Sequence, residues 1–576
     1  MISLHGAPLR HSLVISLPLL VATAGCAGTA IRSQSPEVEA LAGLEADTKL
    51  VGDYAIASGL GLQRIERAAL VTGLPGTGSD PPPGPQRAML LSDMQERGVV
   101  DPNTLLASPQ TALVWVHAYL PPGVRKGDRF DVFVETPADT DTTSLAGGWL
   151  METRLTDVAV LGNRVREGRV QGIVEGPLLV DPVANGTLDA VARIRARIPA
   201  GGVSCVNRPI GLLLAPEHRS VALSQRLGEV INRRFHAVVR GAKKGVATPK
   251  NDQFIEMEIP ATYRHNLDRY VRVVRSVAVV EPAGGRHARL ELLGRQLADP
   301  VTAPAAALRL EAIGKEAIPT LRGALDSNDA ESRFAAAEAL AYLGESVAAS
   351  HLASAAAEMR SARPAALAAL TVLDDPNGID ALQSLLSSAS AETRYGAFRA
   401  LWRMDRTMPL VTGDRCGDAF SLHVLDVKGP PLVHVTRSTR PEIVLFGAEH
   451  PLADGLRVEA GGTIVVVVEG TMATVSRFVP GQSDQSVEMR AAIEPVIRGI
   501  VELGGSYPDV VQFLQQASSR RGIRSRLAFD AIPSEYDGRE SIHQEASARS
   551  REIAADRAVA DDRLGDAADD HPDEHR

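Results

Sequence analysis

Aromatic side chains are scarce, with Phe, Trp and Tyr making up 4% of the 576 residues. Stacking platforms for bases or sugars are therefore not expected. An excess of basic charge is missing too. The formal net charge is -9 and the pI is near 5.9, so no concentrated basic face is at hand to displace counterions, and nucleic acid is not expected as a partner. Cysteine is rarer still: Cys26, Cys205 and Cys416. Nothing has the spacing of paired zinc ligands, so neither a metal nor another cofactor is expected. An export compartment permits a disulfide between Cys205 and Cys416. The two fall in segments assigned to different domains, however, and read as free or buried thiols. Beyond the first residues no run reaches 18 apolar positions; residues 464–468 read as a buried strand.

What is present is length enough for several cores, and a targeting segment in front of them. Arg10 and His11 precede an apolar run over residues 13–24 that is too short to cross a bilayer as a mature helix. It ends in Ala22-Thr23-Ala24-Gly25-Cys26, which resembles a bacterial lipoprotein cleavage site, although Thr23 stands where Leu is usual. The expectation is a signal peptide over residues 1–26, lipidation of Cys26, and a tether over 27–50. Ala27 in place of Asp favours an outer-membrane anchor, and a multiply acylated cysteine holds a protein on a bilayer. An ordinary secretory signal is the alternative.

Residues 70–78 form an apolar run that breaks into Gly73-Leu74-Pro75-Gly76-Thr77-Gly78. A phosphate-binding loop needs a Lys followed by Ser or Thr, and none is present. A dinucleotide loop needs a helix at its third glycine, where a proline-rich stretch, residues 81–85, intervenes. The glycines read as turn residues. A helix is expected over 90–97 and a strand over 111–120, stopped by Pro121 and Pro122 because proline donates nothing to a ladder. Phe130, Val132 and Val134 alternate with Arg129, Asp131 and Phe133 as in a half-buried strand. Asp128, Asp131 and Glu135 lie beside Arg125, Lys126 and Arg129 and read as a charged surface rather than an acid/base group. The stretch closes on Ser144-Leu145-Ala146-Gly147-Gly148-Trp149-Leu150.

In this order the segments resemble the flagellar basal-body P-ring protein family. That family has a GLxGTG loop, a helix ending near glycine, a strand leading into LPPxxRxGxxxDV, and an SLxGGxL closure. The resemblance implies a structural ring component, with Gly73, Gly76, Gly78, Pro121, Pro122, Gly147 and Gly148 as turn and assembly positions. Further on, Ala192-Arg193-Ile194-Arg195-Ala196-Arg197-Ile198-Pro199 is similar to the family's ARIP segment. Arg193, Arg195 and Arg197 are expected on one strand face, either as an assembly contact or as a solvated face. A strand over 208–214 and a helix over 220–235, capped by Ser220 and buried through Val221, Leu223, Leu227, Val230 and Ile231, start a small α+β module of the ring-building type.

After Val280 the resemblance stops and the chain turns to Ala and Leu. Arg333, Arg363 and Arg394 recur at spacings of 30 and 31, as do Ala336, Ala366 and Ala397, and then Leu340, Leu370 and Leu401. This resembles short HEAT-type helical pairs, an α-solenoid whose units share one core through those leucines and offer a binding surface. From Phe420 strands return, followed by helices over 487–503 and 508–520 and a strand over 527–532. His423, His434 and His450 in this part read as strand residues, not ligands.

The expected architecture is α+β and multidomain: a P-ring-like β-rich domain over 51–190, an α+β module over 191–285, HEAT-like repeats over 305–408, an α+β domain over 415–535, and a disordered tail over 537–576. No Ser, His and acid stand in a nucleophile-elbow pattern, so no catalytic residue is assigned. The expected function is a structural, non-catalytic ring component of the flagellar basal body in the periplasm. Its expected partners are further copies of itself, flagellar rod and outer-ring proteins, the bilayer through Cys26, and an unidentified protein at the helical repeats. The alternative is an outer-membrane-anchored scaffold whose repeats bind a partner outside the flagellum.

Overall fold

The computed structural model describes residues 48–533, apart from 138, 162–163, 181–189, 240–241, 282–284, 418–419 and 439. The signal segment with Cys26, nearly all of the tether, the Asn185-Gly186 pair, whose residue types favour a tight turn, and the acidic tail lie outside the described residues.

The chain enters through β1 (Lys49–Leu50), a single helical turn α1 (Val51–Tyr54) and β2 (Ala55–Ser58), and then crosses into a barrel. The barrel strands are β3 (Gln63–Thr72), β4 (Ala112–Leu120), β5 (Arg129–Glu135), β6 (Trp149–Leu161) and β7 (Arg164–Pro177). After β8 (Leu179–Val180) and a turn of helix come the last barrel residues, β9 (Arg195–Ser204). The order β4-β3-β6-β7-β9-β5 closes because β5 pairs with both β4 and β9, all antiparallel. Period-two burial explains the closure: Phe130, Val132 and Val134 point in, as do Ala112, Val114, Val116, Ala118 and Leu120, filling a narrow interior. Between β3 and β4 run α2 (Pro85–Glu96) and α3 (Pro102–Leu106). The proline-rich stretch therefore starts a helix instead of holding it off to residue 90. Pro85 occupies the first helical position, where its missing N–H costs nothing.

The expected boundary at 190/191 moves in two ways. Strand β9 belongs to the barrel, and β2 belongs to the α+β module. A separate turn of helix, α4 (Ala190–Arg193), holds Arg193 and takes it off the strand that carries Arg195 and Arg197. The module contains β10 (Ile210–Leu214), α5 (Val221–Arg234), the hairpin β11 (His236–Val239) and β12 (Ala242–Gly245), β13 (Ala247–Pro249), β14 (Phe254–Met257), α6 (Leu267–Arg275) and β15 (Ala278–Val280). Its sheet order is β13-β14-β10-β2, all antiparallel. Ser220 caps α5 by accepting from the Leu223 N–H at 3.1 Å. Leu227, Val230 and Ile231 are buried, but Val221 in the first turn is 58% exposed, so the apolar face starts a turn later than expected.

Helices begin at residue 285, ahead of the expected 305. The first two are α7 (Gly285–Leu297) and α8 (Ala303–Ile313). Three antiparallel pairs come next: α9 (Ile318–Gly323) with α10 (Ala330–Tyr342), α11 (Ala348–Glu358) with α12 (Arg363–Val372), and α13 (Pro376–Leu385) with α14 (Ala391–Met404). The recurring arginine has one job in all three. Arg333 donates to the Ser327 carbonyl at 2.7 Å, Arg363 to that of Ala356 at 2.9 Å, and Arg394 to that of Leu386 at 2.7 Å. In each pair the second helix thus satisfies a carbonyl left open where the first one ends. Leu340, Leu370 and Leu401 are fully buried.

The C-terminal block holds a five-stranded mixed sheet in the order β16 (Asp414–Cys416), β17 (Phe420–Leu425), β19 (Glu442–Phe446), β18 (Leu432–Val435) and β24 (Arg526–Phe529). A four-stranded meander, β20 (Arg457–Ala460), β21 (Ile464–Glu469), β22 (Met472–Arg477) and β23 (Gln485–Arg490), joins α15 (Ile493–Glu502) and α16 (Tyr507–Ser519) beside it. The helix expected over 487–503 is therefore split. Residues 485–490 pair with β22 at its edge, and the helix starts only after them.

The blocks are not beads on a string. One apolar core runs from Val51 and Tyr270 in the module, through the helices, to Leu432 and Phe446 in the C-terminal sheet. Leu179 of β8 joins the second core, among Val510, Phe513 and Leu514 of α16. The helical pairs are thus covered at both ends rather than standing as an open solenoid.

Candidate assembly surfaces

At one end of the barrel the two glycine-rich loops are laced together. Leu74 N–H donates to the Gln110 carbonyl at 3.0 Å and Gly78 N–H to that of Pro109 at 2.8 Å. Thr77 donates to the Ser144 carbonyl at 2.7 Å, Thr143 N–H returns to the Thr77 carbonyl at 3.0 Å, and Ser79 meets Thr142 at 2.9 Å. Gly73, Gly76 and Gly147 have φ of 76°, 82° and 78°, in the left-handed region that side chains resist. Gly78 and Gly148 serve close approach instead. A Cβ on Gly78 would lie 2.0 Å from the Thr111 carbonyl oxygen, and one on Gly148 would lie 2.6 Å from Val71.

Pro121 and Pro122 do not join this cluster. They sit at the opposite end of the barrel, at the junction with the module. There the Arg208 guanidinium donates to the carbonyls of Leu120 at 2.5 Å, Pro121 at 3.0 Å and Gly61 at 2.9 Å. Burial pulls the Arg208 pKa down from its usual range. The seven turn positions therefore form two sites, five at the laced end and two at the junction.

The outer wall carries the arginines. Arg197 pairs across β5 with Phe133, and Phe133 across β4 with His117, which in turn faces Glu66 on β3. The Arg197 guanidinium lies 5.4 Å from the Phe133 ring centre, His117 stacks on that ring at 5.4 Å, and Tyr119 meets both edge-on. Arg195 approaches Glu135 at 3.7 Å in the next rung. Partial burial and the Arg64 charge lower the His117 pKa, against the pull of Glu135 and Glu66, so its ring is neutral near pH 7. In a chain so poor in aromatics, this cation-edged aromatic row is a surface built for apolar and cation–π contact. Sequence reasoning found Arg195 and Arg197 but passed over Phe133. Its place on the polar side of β5, between Asp131 and Glu135, was the available signal. His117 and Tyr119 were invisible as neighbours, because strand pairing across 60 residues brings them to Arg197.

The hairpin of β6 and β7 runs on beyond the last rungs that tie it to the barrel, Glu66–Thr156 and Gly172–Ser204, as a two-stranded arm. Among the described residues no group of His, Cys, Asp or Glu could hold a metal ion, and no helix is long and apolar enough to cross a membrane. Cys205 and Cys416 are unpaired. His423, His434 and His450 are buried on separate elements, bonded to the Val411 carbonyl at 2.9 Å, the Ala531 N–H at 3.0 Å and Ser525 at 2.8 Å.

A closed barrel carrying laced glycine loops and joined to a small α+β module is a framework made of surfaces. Residues 53–287 match the family model of FlgI, the flagellar P-ring protein. The flagellar P-ring protein of Thermotoga petrophila is 25% identical over 242 residues, covering 40% of this chain and 67% of that one. The flagellar P-ring protein of Chromohalobacter salexigens is 30% identical over 215 residues, covering 35% and 55%. This chain thus carries a P-ring segment, made of the barrel and the module, and spans little more than half to two thirds of the relatives it matches. A chain from the complex of CpcE and CpcF of phycocyanin lyase from Nostoc is 22% identical and covers 20% of this chain and 78% of its own length. Its TM-score of 0.17 is too low to carry an argument.

Proposed function

We propose that this protein is a structural, non-catalytic component of the bacterial flagellar basal body, a P-ring-like subunit that assembles with further copies into a periplasmic ring around the rod. The observation that carries this reading is the P-ring segment over residues 53–287. The outward row of His117, Phe133 and Arg197, with Arg195 beside it, supplies the contact face between neighbouring copies. Rod and outer-ring proteins are the further partners, and lipidated Cys26 tethers the subunit to the outer membrane. In a flagellated host, deletion of the gene then abolishes swimming or removes a ring from purified basal bodies. Normal swimming, with basal bodies that contain none of the protein, would sink the proposal.

A second reading is favoured by one feature. The helical pairs, read as HEAT-type repeats, and the C-terminal block lie beyond the matched stretch and make up about two fifths of the chain. On this reading the P-ring segment serves an envelope scaffold, and the helices hold a protein partner outside the flagellum. Electron microscopy of detergent-extracted particles separates the two, as rings or as single small particles.

A further inference from the structure

The far end of α14 gathers positive charge. Three guanidinium groups surround the Trp402 ring: Arg440 at 3.6 Å from its centre, Arg406 at 4.4 Å and Arg399 at 5.6 Å. Arg399 and Arg440 share one carboxylate, the fully buried Glu442, at 2.9 and 3.2 Å. Arg406 has no ion pair among the described residues. Between Arg399 and Arg406 the sequence has a single acid, Asp405, whose carboxylate accepts from the Thr407 N–H at 2.8 Å and its hydroxyl at 2.7 Å. Arg403 and Arg264 are exposed on the same side. Partial burial, and then the charges of Arg403, Arg264 and Arg399, hold His265 down to about 4. Trp402 itself is half-buried, so its indole presents a partly open face framed by cations.

The described chain ends against this helix. After β24, Asp530 accepts from the Arg437 N–H at 2.6 Å, and the Ala531 N–H donates to His434 at 3.0 Å. Pro533 then lies over Gly396, so close that a Cβ there would come within 2.8 Å of its ring. Gly396 is one turn before Arg399. The sequence beyond Pro533 is acidic: residues 534–576 hold thirteen Asp and Glu against six Arg, which accounts for -7 of the chain's formal -9.

We propose that the acidic segment 534–576 docks on the surface formed by Arg399, Trp402, Arg403, Arg406 and Arg440. Reach is no obstacle. Gly396 and Met404, where α14 ends, are separated by about 12 Å of helix, Arg406 follows two residues later, and the seven residues from Pro533 to Glu540 extend to roughly 23 Å. Chain length alone puts the arginines within range of Glu535, Asp537 and Glu540. Attachment at Pro533 makes the association intramolecular, at an effective concentration of the order of millimolar. Weak, exposed ion pairs then suffice to hold it at low salt. This inference rests on the C-terminal blocks and is independent of the P-ring reading.

The test is hydrogen–deuterium exchange on the full chain, read from both sides of the contact. With all thirteen acids of 534–576 changed to Asn or Gln, amides over 398–408 should exchange about fivefold faster or more, and those of β4 should not change. Arg403→Glu with Arg406→Glu should release protection within 534–576; Arg406→Gln, at an exposed position, is the milder variant should the first unfold. Raising the salt to about 1 M should reproduce both effects in the unaltered chain. Unchanged exchange over 398–408 in the neutralised chain overturns the proposal, as does equal exchange over 534–576 with and without the arginines. Protection that appears only as protein concentration rises assigns the segment to a second copy, and overturns it too.

Discussion

Arg269 of α6 and Glu311 of α8 meet at 2.5 Å with both side chains buried, 8% and 0% exposed, and this pair joins the P-ring segment to the helices beyond it. Arg269 also pairs with Glu338 of α10 and lies over the Tyr342 ring at 4.8 Å. Tyr263 donates to the other Glu311 oxygen at 2.6 Å. Burial alone would discharge the guanidinium, but Glu311 and Glu338 outweigh it and hold the Arg269 pKa above its usual value. At the other end Glu442 has the same company: the Tyr395 hydroxyl at 2.5 Å and Arg399 at 2.9 Å. Both clasps are buried charge, which gives specificity of fit more than net stability.

The two sides of the first clasp should fail unequally. Arg269→Met leaves two buried carboxylates without their cation and should cost about 3–5 kcal/mol. Glu311→Gln keeps an acceptor for Tyr263 and leaves Glu338 to Arg269, and should cost about 1–2 kcal/mol. Denaturant midpoints of the two variants test the order; equal losses would show that the cluster is not the joint described.

His434 should make the C-terminal joint sensitive to acid. Its Nε2 accepts from the Ala531 N–H, its ring stacks on Tyr395 at 3.6 Å between centres, and burial together with the Arg399 charge holds its pKa down to about 3. An unfolded histidine titrates near 6.5. Between these values the unfolded chain binds a proton that the native chain refuses, so stability is complete above about pH 6.5 and falls as the pH drops toward 3. His434→Gln keeps an acceptor and cannot titrate. Between pH 7 and 5 the native protein should lose roughly 2 kcal/mol more than this variant. His423 and His450, also lowered by burial, contribute equally to both. Parallel melting curves at the two pH values would refute the assignment.

The recurring arginines should differ in cost because their surroundings differ. Arg394 is 2% exposed and also donates to the Pro430 carbonyl at 2.6 Å, so Arg394→Met strips the buried Leu386 carbonyl and a second, part-buried one of their donor and should cost about 2–4 kcal/mol. Arg333 is half-exposed with one such bond, and its loss should cost about 1 kcal/mol or less. Melting temperatures rank the two.

Local pattern carried much of the fold and little of the contact geometry. Alternation over 129–134 and the apolar stretch 111–120, stopped by Pro121 and Pro122, each marked a strand within a few residues, and the spacing of 30 and 31 residues marked three helix pairs. Barrel closure was hidden, because β5 meets β9 across 60 residues and β2 meets β10 across 150, and period-two burial does not name a partner. Residues 485–490 misled for a related reason. Their strand lies at a sheet edge and its alternation is confined to half-buried Val487 and Met489, too short to stand against the amphipathic pattern of α15 in the same window. The clasp at Arg269 was out of reach: an Arg on an amphipathic helix looks like a surface residue until Glu311 and Glu338 are folded onto it.

Among the glycines of the laced loops, space should matter more than φ. Gly76 has a positive φ but nothing within 4 Å of a Cβ, so Gly76→Ala should cost about 1 kcal/mol. Gly78→Ala meets the Thr111 and Pro109 carbonyl oxygens at 2.0 and 2.9 Å and must break the contact between loops, for about 2–3 kcal/mol or more. Urea midpoints of the two variants decide; a Gly76→Ala loss equal to that of Gly78→Ala would mean that the loops are not held as described.

The outer row should separate folding from assembly. Arg197 is exposed on the barrel wall, and its interaction with Phe133 spans 5.4 Å, which is worth about 0.5–1 kcal/mol at such a site. Arg197→Glu should therefore shift the melting temperature by only a few degrees. It also places a carboxylate diagonal to Glu135 on the neighbouring strand, reversing the charge at the edge of the aromatic row. If this face joins one copy to the next, that reversal abolishes large assemblies on sizing while the monomer stays folded, and Arg197→Lys, which keeps the charge, retains them in part. If Arg197→Glu assembles like the native chain, the subunit contact lies elsewhere, and the two-stranded arm of β6 and β7 becomes the surface to alter next.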